Sequence, residues 1–206
     1  MKKQLSVLFA VAALMLGSAV GAMASSVNFD LGPGSSINTS ATVNGLLMWA
    51  DVSSQVQNQA FTLSEGQYDT FLFAKMGTKE TWVNKDDLVP QDVTANVNFY
   101  LPNSNVSVNG ITVGTTALWS FDQGWKATWT PTSVFLSDGT EFTVTLSDAS
   151  FQSGFWEGPD GLCGDAYANI YATVTLNRAP VPEPATMLLF GTGLIGLGTL
   201  SRKKKA

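Results

Sequence analysis

Aromatic side chains are the first candidates for binding chemistry in this chain of 206 residues, which contains six tryptophans. Trp119, Trp125 and Trp129 are separated by even numbers of residues. They would therefore lie on one face of a β-hairpin closed by a loop at Asp122–Gly124. Indole rings on an exposed face could stack against sugar rings, whereas the same rings on an inward face would build a hydrophobic core. Both interpretations stay open, and the sugar platform requires exposed indoles.

Carboxylates are the second group with catalytic potential. Asp86 and Asp87, or the more scattered Asp138, Glu141 and Asp148, could supply the two carboxyl groups of a glycosidase. Carboxylates at strand ends and in turns are equally expected on any anionic surface, and no spacing marks a pair. We therefore expect no enzyme activity, with a hydrolase kept as a lesser alternative.

Metal and cofactor sites are not expected either. The chain has no histidine and a single cysteine, Cys163, which excludes Ser-His-Asp and Cys-His catalytic sets, histidine-ligated zinc and an internal disulfide. Asp160 and Asp165 do not match a calcium-loop pattern, so a solvated turn is favoured there. The glycines of Gly191–Gly196 lack the preceding strand and following acidic residue of a dinucleotide site. Cys163 is either buried and inert or available for an intermolecular bridge.

The distribution of charge limits the partners. Residues 25–180, which we call the body, contain five cations and fifteen anions, a net charge of −10. An anionic surface repels nucleic-acid phosphates and anionic lipid headgroups. Nucleic acid is therefore not an expected partner.

The first 24 residues have the parts of a secretory signal peptide. Lys2 and Lys3 precede the apolar run Leu5–Leu16, and small residues follow. Ala22 and Ala24 form the A-x-A pattern of a cleavage site, which predicts cleavage after Ala24. A retained N-terminal anchor or a buried helix is the alternative.

Residues 181–206 form a second segment with three parts. Pro182 and Pro184, which flank Glu183, fix φ and remove amide donors, so this stretch stays extended. The uncharged stretch 185–201 would form a helix about 25 Å long, which can span a membrane with help from snorkelling side chains. By the positive-inside rule, the terminal cations would hold the C-terminus in the cytoplasm and place the body outside the membrane; these cations are Arg202, Lys203, Lys204 and Lys205.

The proline motif, the glycine-rich apolar stretch and the basic cluster together resemble the PEP-CTERM sorting domain of exopolysaccharide-producing Gram-negative bacteria. The resemblance implies that Pro182, Glu183 and Pro184 are recognised by an exosortase, a membrane transpeptidase thought to cut near the motif. It implies transient anchoring in the inner membrane, followed by release or re-anchoring at the cell surface or in the extracellular matrix. Signal peptidase and the translocon are the other expected partners. A plain C-terminal membrane anchor is the alternative.

The body has the composition and periodicity of an all-β domain. Threonine and valine number 32 within it, against 8 for glutamate and lysine. Apolar and polar residues alternate over 93–100, 141–147 and 170–176, which is typical of antiparallel strands with one buried side. Asn109-Gly110 predicts a type I′ hairpin turn, and 64–67 and 137–140 read as further turns. Helix is expected only in short pieces, for example near 82–88.

These patterns predict an antiparallel, jelly-roll-like β-sandwich over residues 25–180. Phrases such as Ala60–Gln67 and Phe135–Gly139 are similar to the β-sandwich ectodomains found upstream of PEP-CTERM tails. The expected function is that of an exported, surface-sorted structural or adhesive protein. The alternative is a carbohydrate-binding module that recognises exopolysaccharide through surface aromatics.

Overall fold

The computed structural model of the protein describes residues 25–39, 45–78, 80, 83–116, 123–153 and 167–180. These residues form twelve β-strands and, as their only helical element, one 3-10 turn at Val56–Asn58. In chain order the strands are β1 (Ser26–Leu31), β2 (Ser36–Thr39), β3 (Met48–Val52), β4 (Ala60–Ser64), β5 (Tyr68–Thr78), β6 (Gln91–Leu101), β7 (Ser104–Thr116), β8 (Gln123–Trp129), β9 (Thr132–Phe135), β10 (Glu141–Leu146), β11 (Ala149–Ser153) and β12 (Tyr167–Arg178).

The strands form two antiparallel sheets that share one core. The larger sheet has the order β11-β8-β7-β6-β1-β4, with β2 also paired to β6, and the smaller sheet has the order β3-β5-β12-β10-β9. Phe142 of the smaller sheet packs edge-on against Phe29 and Phe99 of the larger one, with ring centroids 5.2 and 5.5 Å apart. The prediction of an all-β domain is therefore confirmed, and the two sheets pack face to face. Strands β6, β7 and β8 form a meander within one sheet, so the connectivity differs from the jelly-roll-like one we expected.

The predicted alternation of buried and exposed positions is confirmed in three strands. Inward positions of β6, β10 and β12 are almost completely buried because each strand turns one face to the shared core. These inward residues are Val93, Ala95, Val97 and Phe99; Phe142, Val144 and Leu146; and Ile170, Ala172, Val174 and Leu176.

Two of the predicted turns are also confirmed. Gly139 lies in the turn between β9 and β10 with φ of +85°, and Gly66 lies in the turn between β4 and β5 with φ of +82°. Such φ values favour glycine, which has no Cβ to clash. The second turn joins strands of different sheets, since β4 pairs with β1 and β5 pairs with β3 and β12.

The predicted hairpin turn at Asn109-Gly110 is wrong. Strand β7 runs without interruption through both residues, and the chain reverses instead at Pro102 and Asn103, between β6 and β7. Gly110 pairs with Trp129 of β8, and a Cβ at position 110 would lie 2.7 Å from Cε3 of that indole and closer still to the carbonyl oxygen of Thr128. The glycine is needed for close packing within the sheet and not for a turn.

The loop predicted at residues 122–124 is also corrected, because Gln123 and Gly124 are the first residues of β8. Residues 85–88, where a short helix was considered, form turns. The signal helix and the spanning segment 185–201 lie outside the described residues. Within the residues described, no helix is long and apolar enough to cross a membrane.

The first and last strands of the body meet at one end of the two sheets, which we call the tail end. Ser26 of β1 is paired with Ser64, immediately before the β4–β5 turn, and β12 ends at Arg178 beside Glu141. Strand β12 begins at the opposite end, the far end, where Tyr167 is paired with Gly77. The entry and exit of the body are therefore close together, and its far end points away from both.

Candidate functional site

The junction between the body and the C-terminal segment is built around the β4–β5 turn. Ala179, the residue after β12, is buried, and its N–H donates a hydrogen bond to Glu65 Oε2 at 3.4 Å. Gly66 N–H and Leu176 N–H bond to the carbonyls of Leu176 and Gln67, at 2.8 and 3.0 Å. These bonds hold the last residues of the body in the fold as far as Ala179.

The sorting residues begin almost immediately after this junction. Pro182 is four residues beyond Arg178, the last residue of β12. Pro182, Glu183 and Pro184, like Ala22, Ala24 and the basic residues 202–205, lie outside the described residues.

Trp125 and Trp129 are core residues, which corrects the sugar-platform interpretation at these two positions. Trp125 is 0% exposed and Trp129 is 8% exposed, and both face the interior from β8 together with Ala127. Trp119 lies outside the described residues. Trp125, Ala127 and Trp129 share one face of β8, as predicted, but this face packs against the other sheet. Indoles buried in this way are not available to stack on a sugar.

Four of the five carboxylates considered for a glycosidase accept a hydrogen bond from a backbone N–H. Asp87 is buried, and its Oδ2 accepts the N–H of Asn84 at 2.8 Å, while Asp86 Oδ2 accepts the N–H of Gly45 at 3.2 Å. These two hydrogen bonds stabilise the connection between β5 and β6 and join it to the segment that precedes β3. They give these two carboxylates a structural role.

Asp148 and Asp138 behave in the same way. Asp148 Oδ1 accepts the N–H of Trp129 at 3.2 Å. Asp138 Oδ1 accepts the N–H of Thr140 at 2.9 Å, and this bond holds the pKa of the Asp138 carboxyl below its usual value. Within the described residues no group of three or more acidic or cysteine side chains is arranged to hold a metal ion. Asp160, Asp165 and Cys163 lie outside those residues.

Exposed tyrosines on the outer face of the smaller sheet form the most regular candidate for a binding surface. Tyr167 and Tyr171 lie four residues apart on β12 and are 45% and 43% exposed. Tyr68 on β5 is 68% exposed and is paired with Thr175, four residues further along β12. At about 3.3 Å per residue, the three rings are spaced about 13 Å apart along the strands. We call this row, from Tyr167 to Tyr68, the tyrosine lane.

Polar groups occupy the positions between the rings of the tyrosine lane. Thr70 and Thr173 face each other across β5 and β12 with their hydroxyl oxygens 2.9 Å apart. Asn169 is paired with Lys75 between Tyr167 and Tyr171. The lane thus alternates aromatic rings with hydrogen-bonding side chains.

A β-bulge places Lys75 on the outer face. The pairing of β5 and β12 shifts between Ile170 and Tyr171, and the two consecutive β5 residues Phe73 and Ala74 are both buried. Without the extra residue, strict alternation after Phe73 would turn Lys75 towards the core. With it, the Lys75 ammonium lies over the Tyr167 ring, 4.9 Å from the ring centroid, in a cation–π contact.

Trp49 extends this surface sideways onto β3. Trp49 and Tyr167 are both paired with Gly77, which has no side chain to separate them, and their ring centroids lie 6.4 Å apart. The Trp49 indole N–H donates a hydrogen bond to the carbonyl of Thr78 at 3.3 Å, which fixes the ring. Asp51 is the next outward residue of β3 and is paired with Lys75.

Sequence reasoning singled out aromatics that are buried, although a signal for the exposed ones was present. The alternation of apolar and polar residues in β12 predicts that Tyr171 lies on the solvent-exposed face, because Ile170 and Ala172 face the core. The bulge at Phe73 and Ala74 has no such signal, so the outward position of Lys75 could not be read from the pattern.

Comparison with known protein families identifies one motif. Residues 180–204 match the PEP-CTERM protein-sorting motif, which begins two residues after the end of β12. The expected sorting tail is therefore confirmed, and the motif supports an exported protein that has an exosortase as partner and is anchored to the membrane by its C-terminal region. Neither the curated proteins nor the solved structures contain a match to the chain.

Proposed function

We propose that this protein is a structural or adhesive component of the cell envelope and exopolysaccharide matrix, displayed by exosortase-dependent processing of its C-terminus. The observation that carries the proposal is the position of the sorting motif, which starts at Pro180 directly after the last strand of a folded all-β body. A sorting signal joined to a folded domain with almost no linker makes that domain the displayed cargo.

The proposed topology follows from the order of the segments. Residues 1–24 direct export and are removed after Ala24, residues 185–201 span the inner membrane, and Arg202–Lys205 stay in the cytoplasm. The exosortase then acts near Pro182-Glu183-Pro184, and the body moves to the cell surface or matrix. The arrangement of the body supports this topology, because β1 starts and β12 ends at the tail end. The far end and both outer sheet faces are left free of the tether.

A non-enzymatic role for the body is part of the proposal. Its support is that Asp86, Asp87, Asp138 and Asp148 each accept a hydrogen bond from a nearby backbone N–H. Carboxylates held in this way stabilise loops and turns, and the two members of a general acid–base pair would instead have to converge on a cleft.

The second candidate function is carbohydrate binding through surface aromatics. The buried Trp125 and Trp129 do not support it, whereas the regular exposure of Tyr167, Tyr171 and Tyr68 does. Tyrosine combines a flat apolar ring with a hydroxyl group, so an exposed row of tyrosines suits a ligand that presents both C–H faces and hydroxyls.

Protease treatment of live cells of the native host tests the location of the body. We expect external protease to remove the body from intact cells, and we expect a variant with alanines at 182–184 to remain in the membrane fraction with its C-terminal segment attached. A cytoplasmic protein serves as the control for cell integrity. Protection of the body in intact cells, together with its loss after permeabilisation, would refute the proposed location.

A further inference from the structure

We propose that the tyrosine lane binds a linear polysaccharide that carries carboxylate groups. This inference rests on the carbohydrate-binding candidate above and is independent of the sorting route. Its starting point is the regular spacing of Tyr167, Tyr171 and Tyr68 along two neighbouring strands, over a length of eight residues or about 26 Å. A straight row of this length fits an extended polymer, in which sugar rings two or three units apart can stack on successive tyrosines.

The side chains between the tyrosines match the hydroxyl groups of such a chain. Thr70 and Thr173 present two hydroxyls, and Asn169 presents an amide that both donates and accepts. Hydrogen bonds to these groups would fix the position of a sugar chain that stacking alone leaves free to slide. The lane thereby offers both parts of a polysaccharide site.

The charge of the lane favours an acidic polymer. Lys75 carries the only charge among the outward residues from Tyr68 to Gly77 on β5 and from Tyr167 to Thr175 on β12. The body as a whole has a net charge of −10. An acidic chain is therefore repelled by most of the surface and attracted at this position, which directs it to the lane.

The outward position of Lys75 depends on the β-bulge in β5. The bulge at Phe73 and Ala74 turns Lys75 outward to the Tyr167 ring. There the ammonium can donate hydrogen bonds to a carboxylate and still contact the aromatic face. Asp51, the cross-strand neighbour of Lys75 on β3, opposes binding of a carboxylate at the same point. Removal of Lys75 from the lane should therefore weaken binding, and removal of the neighbouring Asp51 charge should strengthen it.

The test measures binding of the purified full-length protein, in a nonionic detergent, to alginate as the acidic probe and to a neutral β-glucan. We expect alginate to bind, with affinity reduced about tenfold by Tyr171→Ala and by Lys75→Met, the factor that corresponds to 1.4 kcal/mol. We expect Lys75→Arg to retain binding and Asp51→Asn to increase the affinity for alginate without changing that for the neutral polymer. Raising the salt concentration should weaken alginate binding.

Tyr100→Ala is the control, because Tyr100 is a tyrosine on the larger sheet that is more exposed than Tyr171. Thermal unfolding of each variant verifies that it is folded. Absence of alginate binding, or equal loss in Tyr100→Ala and Tyr171→Ala, would overturn the proposed site. The assignment of an acidic ligand would be overturned if the neutral glucan bound as tightly as alginate and Lys75→Met left the affinity for the glucan unchanged. All these outcomes leave the C-terminal processing in cells unaffected, so failure of the site is distinguishable from failure of the sorting proposal.

Discussion

The indole of Trp129 lies directly against Gly110 of the neighbouring strand, with the two residues paired across β7 and β8. A methyl group at position 110 would lie 2.7 Å from Cε3 of the indole. Because Gly110 has no Cβ, the large indole of Trp129 can pack directly against the backbone of β7.

We expect Gly110→Ala to destabilise the protein by about 1–3 kcal/mol, the range typical of overpacking in a core. Thermal unfolding of the full chain in detergent measures the change, with Thr115→Ala, an exposed position of the same strand, as the control. A loss of stability no larger than that of Thr115→Ala would contradict the close packing of Gly110 against β8.

Trp125 and Tyr171 should differ sharply when truncated. Trp125→Ala removes a completely buried indole from the shared core and is expected to cost about 3–5 kcal/mol. Tyr171→Ala removes a ring that is nearly half exposed on the outer face, and its effect should stay within about 0.5 kcal/mol, as for most surface substitutions. Denaturation monitored by circular dichroism compares the two. A large loss of stability in Tyr171→Ala would place that residue in the structural core.

Acid sensitivity of the β9–β10 turn follows from the hydrogen bond between Thr140 N–H and Asp138. This bond lowers the pKa of the folded Asp138 carboxyl below the usual value of 3.8. Its contribution is therefore fully present above about pH 4 and is lost as the pH falls through the folded pKa. We expect Asp138→Ala to lower the unfolding temperature at neutral pH and the difference from the wild type to narrow in acid. A difference that stays constant across this range would contradict the assigned role.

The hydrogen bond from Ala179 to Glu65 should control local order at the junction. Glu65→Ala removes the acceptor of the Ala179 N–H, so we expect faster hydrogen exchange in a peptide covering the end of β12. Exchange in the central part of β12, around Ile170 and Ala172, should not change. Glu65→Gln keeps an acceptor oxygen and serves as the control. Equal protection in Glu65→Ala and wild type would show that burial alone holds the junction.

The sequence predicts those parts of the fold that depend on local alternation. The inward faces of β6, β10 and β12 follow directly from the alternation of apolar and polar residues, since one side of each strand is buried. The turns at Gly66 and Gly139 follow from residues that tolerate positive φ. These are local properties of a few consecutive residues.

The features that depend on contacts between distant strands could not be predicted in this way. Asn109-Gly110 has the composition of a turn, but the need to accommodate Trp129 keeps Gly110 within a strand. The even spacing of Trp125 and Trp129 predicts that they share a face of the strand. It does not predict that this face is inward, because the position of the opposite sheet decides that. The bulge in β5 depends on its pairing with β12, and only that pairing brings Lys75 to Tyr167.

The intact mass of the protein isolated from its native host, with and without the exosortase, tests the central claim most directly. We predict a wild-type protein that begins at Ser25 and has lost the residues beyond the Pro182-Glu183-Pro184 region, and a protein from the exosortase deletion strain that also begins at Ser25 but retains Arg202–Lys205. An identical mass with an intact basic C-terminus in both strains would contradict the account.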